Sequence, residues 1–160
     1  MKKLIILVGN IASGKSTYVK KFPQAIIVND DSIVSSVHGG DYTLYQKELK
    51  PLYKTIENTI ITTALSLDRL VIIDRPNMSK QTRQRYISIA KSLDVEVLCV
   101  IFPLQDPYIH AKRRFDSDNR DLTLRHWIET AERKNVEFEH PSFDEGFDNI
   151  FIENYYDCFI

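Results

Sequence analysis

The sequence predicts an α/β fold in which helices flank a five-stranded parallel sheet, and three observations carry that prediction. Short apolar runs alternate with segments of helical periodicity, with no internal repeat and no low-complexity linker. A glycine-rich stretch, GNIASGKST (Gly9 to Thr17), follows the first apolar run and opens the first helical segment. A chain of 160 residues, 43% hydrophobic, has the size and apolar content of one globular domain, taken here as residues 1–160.

Each element follows from its pattern. KLIILVG reads as a buried strand and SGKSTYVKKF as the helix it feeds. AIIVN is the second strand, and SIVSSV a short helix after it. Leu49, Tyr53, Ile56, Ile60 and Ala64 recur at helical spacing, predicting a long helix from about Tyr42 to Leu67. RLVIID is the third strand. SKQTRQRYISIAKSL is a helix with Ser79 as N-cap, and VEVLCVIF the fourth strand. DPYIHAKRRF starts a helix with Asp106 as cap and Pro107 in its first turn. FDSDNRD breaks the pattern, LTLRHWIETAERK resumes a helix, and DNIFIE supplies the fifth strand. In such sheets ligands bind at the carboxyl ends of the strands.

Composition narrows the function classes. No apolar stretch approaches the roughly 20 residues that span a bilayer, and the start lacks a small-residue cleavage site, so no membrane role and a cytoplasmic location are expected. Cys99 lies in an apolar run and Cys158 near the end, a pattern of buried and tail thiols rather than a disulfide. Residues 137–160 carry seven acids and no Lys or Arg, leaving the first 136 residues with 21 bases against 15 acids. A basic body can steer a polyanion, while the total charge of −1 argues against broad nonspecific nucleic-acid binding.

GNIASGKS satisfies G-x-x-x-x-G-K-[ST] and lies between a strand and a helix, as a phosphate-binding loop requires. Gly9 and Gly14 let the backbone turn so that the N–H groups of Asn10, Ile11, Ala12, Ser13 and the residues through Thr17 face phosphates. Lys15 is expected to reach the terminal phosphates of ATP or another NTP, and Ser16 to hold Mg²⁺. Asp74, closing the third strand, is expected to organise the ion through water.

A guanine-reading N-K-x-D is absent and the chain is short, which favours a small phosphotransferase over a GTPase or motor. Such an enzyme needs a group that deprotonates the acceptor and a basic lid over the transferring phosphoryl. VNDD puts Asp30 and Asp31 at the rim of the loop, one as helix cap and the other as proton acceptor. AKRRFDSDNRD brings Lys112, Arg113, Arg114 and Arg120 around a break, predicting a lid over roughly 113–122.

Together GNIASGKST, VNDDS, VIIDRPN followed by RQRYISIAK, the KRRF to NRD segment and FEHPSFDEGFDNI resemble the kinase domain of the polynucleotide 5′-kinase family. That family includes phage end-healing enzymes and the kinase part of animal polynucleotide kinase/phosphatases. The resemblance implies a P-loop NTPase fold with an adenylate-kinase-like sheet, and ATP-dependent phosphorylation of the 5′-hydroxyl of DNA or RNA. It assigns proton abstraction to Asp31, the cation-side carboxylate to Asp74, a substrate-positioning role to Asn77, and the lid to Arg114 and Arg120, with Arg113 an alternative. Two departures stand out: Asp30 occupies a usually basic position, and Val34 a position where phage-type members carry an arginine that contacts a substrate phosphate. The acceptor site is therefore less basic than the family pattern, unless Arg75, Lys80, Arg83 or Arg85 compensates.

The remaining residues read blandly. The four histidines lack metal-ligand spacing, Trp127 and Tyr86 belong to helix cores, and HGGDY is a loop near the acceptor cleft. Two rival functions stay open: a kinase of a nucleoside, nucleotide or other small hydroxyl metabolite, and a nucleotide-binding module without transfer activity. No protein partner is predicted.

Overall fold

The central apolar runs of the sequence become strands sealed on both faces, while the edge strands keep exposed side chains. In the computed structural model, which describes residues 2–153, β1 (Lys3–Val8) is central. It lies between β3 (Leu70–Ile73) and β4 (Glu96–Ile101), with β2 (Ile26–Val28) and β5 (Asn149–Ile152) at the edges. The order is β2-β3-β1-β4-β5 and every pairing is parallel. Leu4 stands opposite Val71 on one side and Val97 on the other.

Alternation along β1 divides the core. Leu4, Ile6 and Val8 pack with Ile61 and Leu65 of α3 (Lys50–Ser66) and Tyr86, Ile87 and Ala90 of α4 (Lys80–Ser92). Ile5 and Leu7 face the other layer with Phe102, Tyr18, Val19 and Phe22. Ser79 and Asp106 cap α4 and α5 (Pro107–Ser117) as read from the sequence, accepting hydrogen bonds from the Thr82 and Tyr108 amides. Thr123 caps α6 (Leu124–Glu137) in the same way.

Three elements depart from the sequence reading. The helix after the glycine loop is one α-turn, α1 (Lys15–Tyr18), continued as a 3₁₀ turn over Val19–Lys21. Its run of Thr17, Tyr18 and Val19 favours helix weakly, and Pro23 ends it. The long helix begins at Lys50 rather than near Tyr42, because Pro51 belongs in a first turn, where its missing N–H costs nothing. Two 3₁₀ turns, Tyr42–Leu44 and Lys47–Leu49, precede it with Tyr45 and Gln46 extended between them. The buried stripe of α3 is Tyr53, Glu57, Ile61, Ala64 and Leu65, which leaves Ile60 exposed. Finally, α5 continues through Ser117, three residues into the expected break, supported by Lys112–Asp116 and Arg114–Asp118 pairs at i,i+4 spacing.

Trp127 and Tyr86 are core residues as expected, and Cys99 is a buried free thiol. Cys158 lies outside the described residues. Among the described residues no helix is long and apolar enough to cross a membrane.

Candidate active site

Parallel strands bring the ends of β1, β2 and β3 to one edge, and the loops there are stitched together. The Gly9 amide donates to the Pro76 carbonyl at 3.0 Å and the Asp74 amide to the Val28 carbonyl at 2.9 Å. A Cβ at Gly9 would come within 2.7 Å of both the Phe102 Cβ and the Ser13 Oγ, so only glycine lets the loop turn here. Gly14 has φ +99°, the left-handed region, immediately before α1.

The Lys15 amino group donates to the Gly9 and Asn10 carbonyls at 2.9 and 2.6 Å and to the Ser13 Oγ at 3.2 Å. Burial lowers its pKa to about 8 against the opposing pull of Asp74. A cavity of 380 Å³ opens beside the loop, lined by Ile11, Ala12, Lys15, Ser16, Asp74 and Arg114 among others. The Ser16 hydroxyl donates to Asp74 Oδ2 at 3.3 Å. Burial raises the Asp74 pKa, with Lys15 and the Ser16 hydrogen bond pulling the other way. A hydroxyl and a carboxylate at this spacing beside a phosphate loop are the donor set that suits Mg²⁺ arriving with a nucleotide.

Not all of the loop faces that cavity. Asn10 is fully buried and turned away, its Nδ2 donating to the Ala131 carbonyl and to Asn135 Oδ1, which ties the loop to α6. Its Oδ1 accepts the Ile11 amide at 2.6 Å. The Thr17 side chain is exposed and lies outside the cavity wall.

A larger cavity of 660 Å³ lies across the end of β2, and Asp30, Asp31 and Arg75 line both cavities. The helix cap here is neither aspartate. Asn29 accepts the Ser32 amide at 2.8 Å, putting Asp30 and Asp31 in the first turn of α2 (Asp30–Val37). Asp30 pairs with Arg75 at 3.1 Å, while Asp31 has no hydrogen-bond or ion-pair partner among the described residues. Burial pushes the Asp30 carboxyl up, opposed by Arg75.

Glu57 organises the far wall of this cleft, and the sequence reading missed it. It is 3% exposed, accepts from Arg75 Nη1 at 2.9 Å and the Tyr86 hydroxyl at 2.8 Å, and pairs with Arg85, whose Nη2 also reaches Asn58. The available signal was a carboxylate at i+4 from Tyr53 and i−4 from Ile61, on a stripe otherwise apolar.

The lid arginines separate. Arg114 lines the smaller cavity and Arg120 the larger, and both pair with Asp118, at 2.9 and 2.7 Å. Both guanidinium groups also lie over the Trp127 ring, 5.3 and 5.0 Å from its centroid, and Arg120 lies 5.5 Å from that of Tyr42. The side-chain hydrogen bond from Arg120 holds Asp118 down to about 2. Arg113 points elsewhere, donating to Gln105 Oε1 at 3.0 Å.

Two residues expected to touch substrate are walled off. Arg83 is fully buried and makes a double contact with Glu145, at 2.8 Å from Nε and 2.7 Å from Nη2, with Nη1 bonded to the Asn77 and Met78 carbonyls. Asn77 is 3% exposed and in the left-handed region at φ 48°. Its Nδ2 donates to the Leu7 and Arg75 carbonyls at 2.7 and 3.0 Å. It ties the loop after β3 to β1 and lines neither cavity.

A sequence profile of the AAA domain family matches residues 4–136. The chain belongs to that family. No curated protein sequence matches it. Solved structures share its fold, each at low identity. The Pnkp1/Rnl/Hen1 RNA repair complex contains a chain 19% identical, matched over 86% of this chain and 46% of that one, with a TM-score of 0.63. Kti12 from Chaetomium thermophilum, in complex with ADP-AlF3, is 16% identical over 96% and 90%, TM-score 0.61. Shikimate kinase from Bacteroides thetaiotaomicron is 13% identical over 98% and 92%, TM-score 0.58. The chain thus spans less than half the length of the RNA repair complex chain it matches. Its fold is that of P-loop kinases.

Proposed function

We propose that this AAA-domain chain transfers the γ-phosphate of ATP to the 5′-hydroxyl of a polynucleotide. The observation that carries the reading is Asp31, an unpaired carboxylate on the rim shared by a nucleotide-sized cavity and a larger acceptor-sized one. The motif resemblance gives Asp31 the same role, and the RNA repair complex is among the proteins sharing the fold.

The chemistry follows from this arrangement. The glycine loop and Lys15 bind the triphosphate; Ser16, with Asp74 acting through water, would hold Mg²⁺, and the ion would supply further charge neutralisation. Asp31 accepts the proton of the acceptor hydroxyl. That oxygen forms a bond to the γ-phosphorus as the bond to the β–γ bridging oxygen breaks, and ADP leaves. Arg114, beside the nucleotide, offsets charge on the migrating phosphoryl, and Arg120 steadies the acceptor. Asp118 and Trp127 hold the two arginines in register as the lid.

A second reading, a small hydroxyl acceptor, is favoured by the shikimate kinase likeness, which covers nearly the full length of both chains. Asp31→Asn tests the leading one. Transfer of labelled γ-phosphate to 5′-hydroxyl DNA and RNA should fall by about 10²- to 10⁴-fold in the variant with nucleotide affinity unchanged. Near wild-type transfer by the variant would remove Asp31 from the chemistry.

A further inference from the structure

The acceptor cleft contains charge that its own walls do not neutralise. Arg75 and Arg85 are held by Asp30 and Glu57, and Arg120 by Asp118. Lys50 and Lys54 also line the cleft, and among the described residues neither has a carboxylate partner. They stand one turn apart on the same face of α3, where two like charges repel and destabilise the helix unless an anion lies between or beside them. Asp31, which makes no hydrogen bond or ion pair among the described residues and feels Arg120 only through space, is the other cleft charge left open.

Next to the lysines the wall is aromatic. Tyr45, held in the extended residues before α3, lies tilted at 31° against Tyr53 with ring centroids 5.5 Å apart, and keeps 51% of its surface exposed. Two partly buried hydroxyl bonds fix the supporting ring, since Tyr53 Oη meets His38 Nε2 at 2.7 Å and accepts the Gln46 amide at 3.2 Å. Tyr45 therefore offers an open aromatic face on a rigid backing, beside two lysines whose flexible stems suit a phosphate of variable path.

Resting on the kinase reading above, we propose that this wall is a subsite for the nucleotide that follows the acceptor sugar. Lys50 and Lys54 take the phosphate on the 3′ side of the reacting nucleoside, and Tyr45 stacks the next base. The cleft is then a selector of chains over free nucleosides, with the hydroxyl at Asp31 and the anion at α3.

Steady-state kinetics with three 5′-hydroxyl acceptors tests this: a nucleoside, its 3′-phosphate and a dinucleoside monophosphate. Lys50→Ala/Lys54→Ala should raise KM for the two phosphorylated acceptors by about tenfold and flatten their salt dependence by roughly one phosphate equivalent. The kcat values and the KM for ATP and for the nucleoside should stay unchanged. Lys50→Arg/Lys54→Arg should restore the KM values, and Tyr45→Ala should penalise the dinucleotide alone. Both alanine positions are exposed on a helix, so folding is not at stake. If the wild type phosphorylates the dinucleotide and the double alanine variant matches it, the subsite is wrong and the kinase reading stands. If the wild type phosphorylates none of the three and labels only a non-nucleoside alcohol, both fall.

Discussion

Arg83 and Arg85 stand two residues apart on α4, so they leave the helix on nearly opposite sides, and each finds a buried glutamate. Arg83 meets Glu145 in a sealed pair, both side chains at most 1% exposed. Arg85 meets Glu57, which also holds Arg75, at the wall of an open cleft. The residue types are the same in both places, and the surroundings divide the labour. The first pair fixes the 3₁₀ turn Phe143–Glu145 against α4, and the second sets the charge on the wall of the open cleft. The FEHPSFDEGF segment is thus architectural: Glu139 accepts the Lys80 amide at 2.7 Å, and Gly146, at φ +107°, brings its backbone against Ile87.

The largest effect should come from breaking the sealed pair. Arg83→Met leaves Glu145 as an uncompensated buried charge and should cost about 3–5 kcal/mol in urea unfolding. Arg83→Met/Glu145→Leu should recover most of that loss. A changed acceptor KM at unchanged stability would instead return Arg83 to the substrate site.

Glu57→Gln sharpens the other half of the comparison. It frees positive charge on Arg75 and Arg85, so the KM of an oligonucleotide acceptor should become more salt-dependent, by roughly one phosphate equivalent. Stability should fall by about 1–3 kcal/mol, less than for the sealed pair. An unaltered salt slope would mean the cleft arginines do not meet the acceptor.

Smaller changes probe the nucleotide side. Asp118→Asn should lower kcat several-fold, about as a lost charge-assisted contact does, by loosening Arg114 and Arg120 together. Because Asp118 is held down to about 2, its pairing is complete above pH 4 and is lost only as pH falls toward 2. Lys15 behaves oppositely in range. Its pKa is depressed to about 8, so the burial penalty is in full force below pH 8 and is relieved as pH rises from 8 toward its ordinary value of 10.5. Nucleotide affinity should therefore weaken above pH 8, with proton uptake on binding seen by calorimetry in buffers of different ionisation enthalpy. Flat affinity from pH 7 to 9.5 would contradict it.

What was legible in the sequence follows from how local each signal is. The glycine loop, Asp74, and the caps Ser79 and Asp106 are written within a few residues and emerge where expected. Glu145 lies 62 residues from Arg83, so nothing near Arg83 announced its burial and it read as a substrate cation. Asn77, read as positioning the substrate, likewise has its amide committed to a carbonyl of β1, 70 residues away. Asp118 stood in view but was read as part of a break, because its value lies in pairing with arginines on both sides of it in sequence. Tyr45 was hidden by extending α3 too far toward the N-terminus, which absorbed the extended residues that present its ring.

In the proposed reaction the cleft beyond Asp31 receives the 5′ end of a polynucleotide. That placement is tested most directly by comparing kcat/KM for γ-phosphate transfer from ATP to a 5′-hydroxyl oligonucleotide, a nucleoside and simple polyols such as shikimate and gluconate. The oligonucleotide should lead, with its label on the 5′-terminal nucleotide. A polyol or nucleoside outpacing the oligonucleotide would contradict it and make this chain a small-molecule kinase.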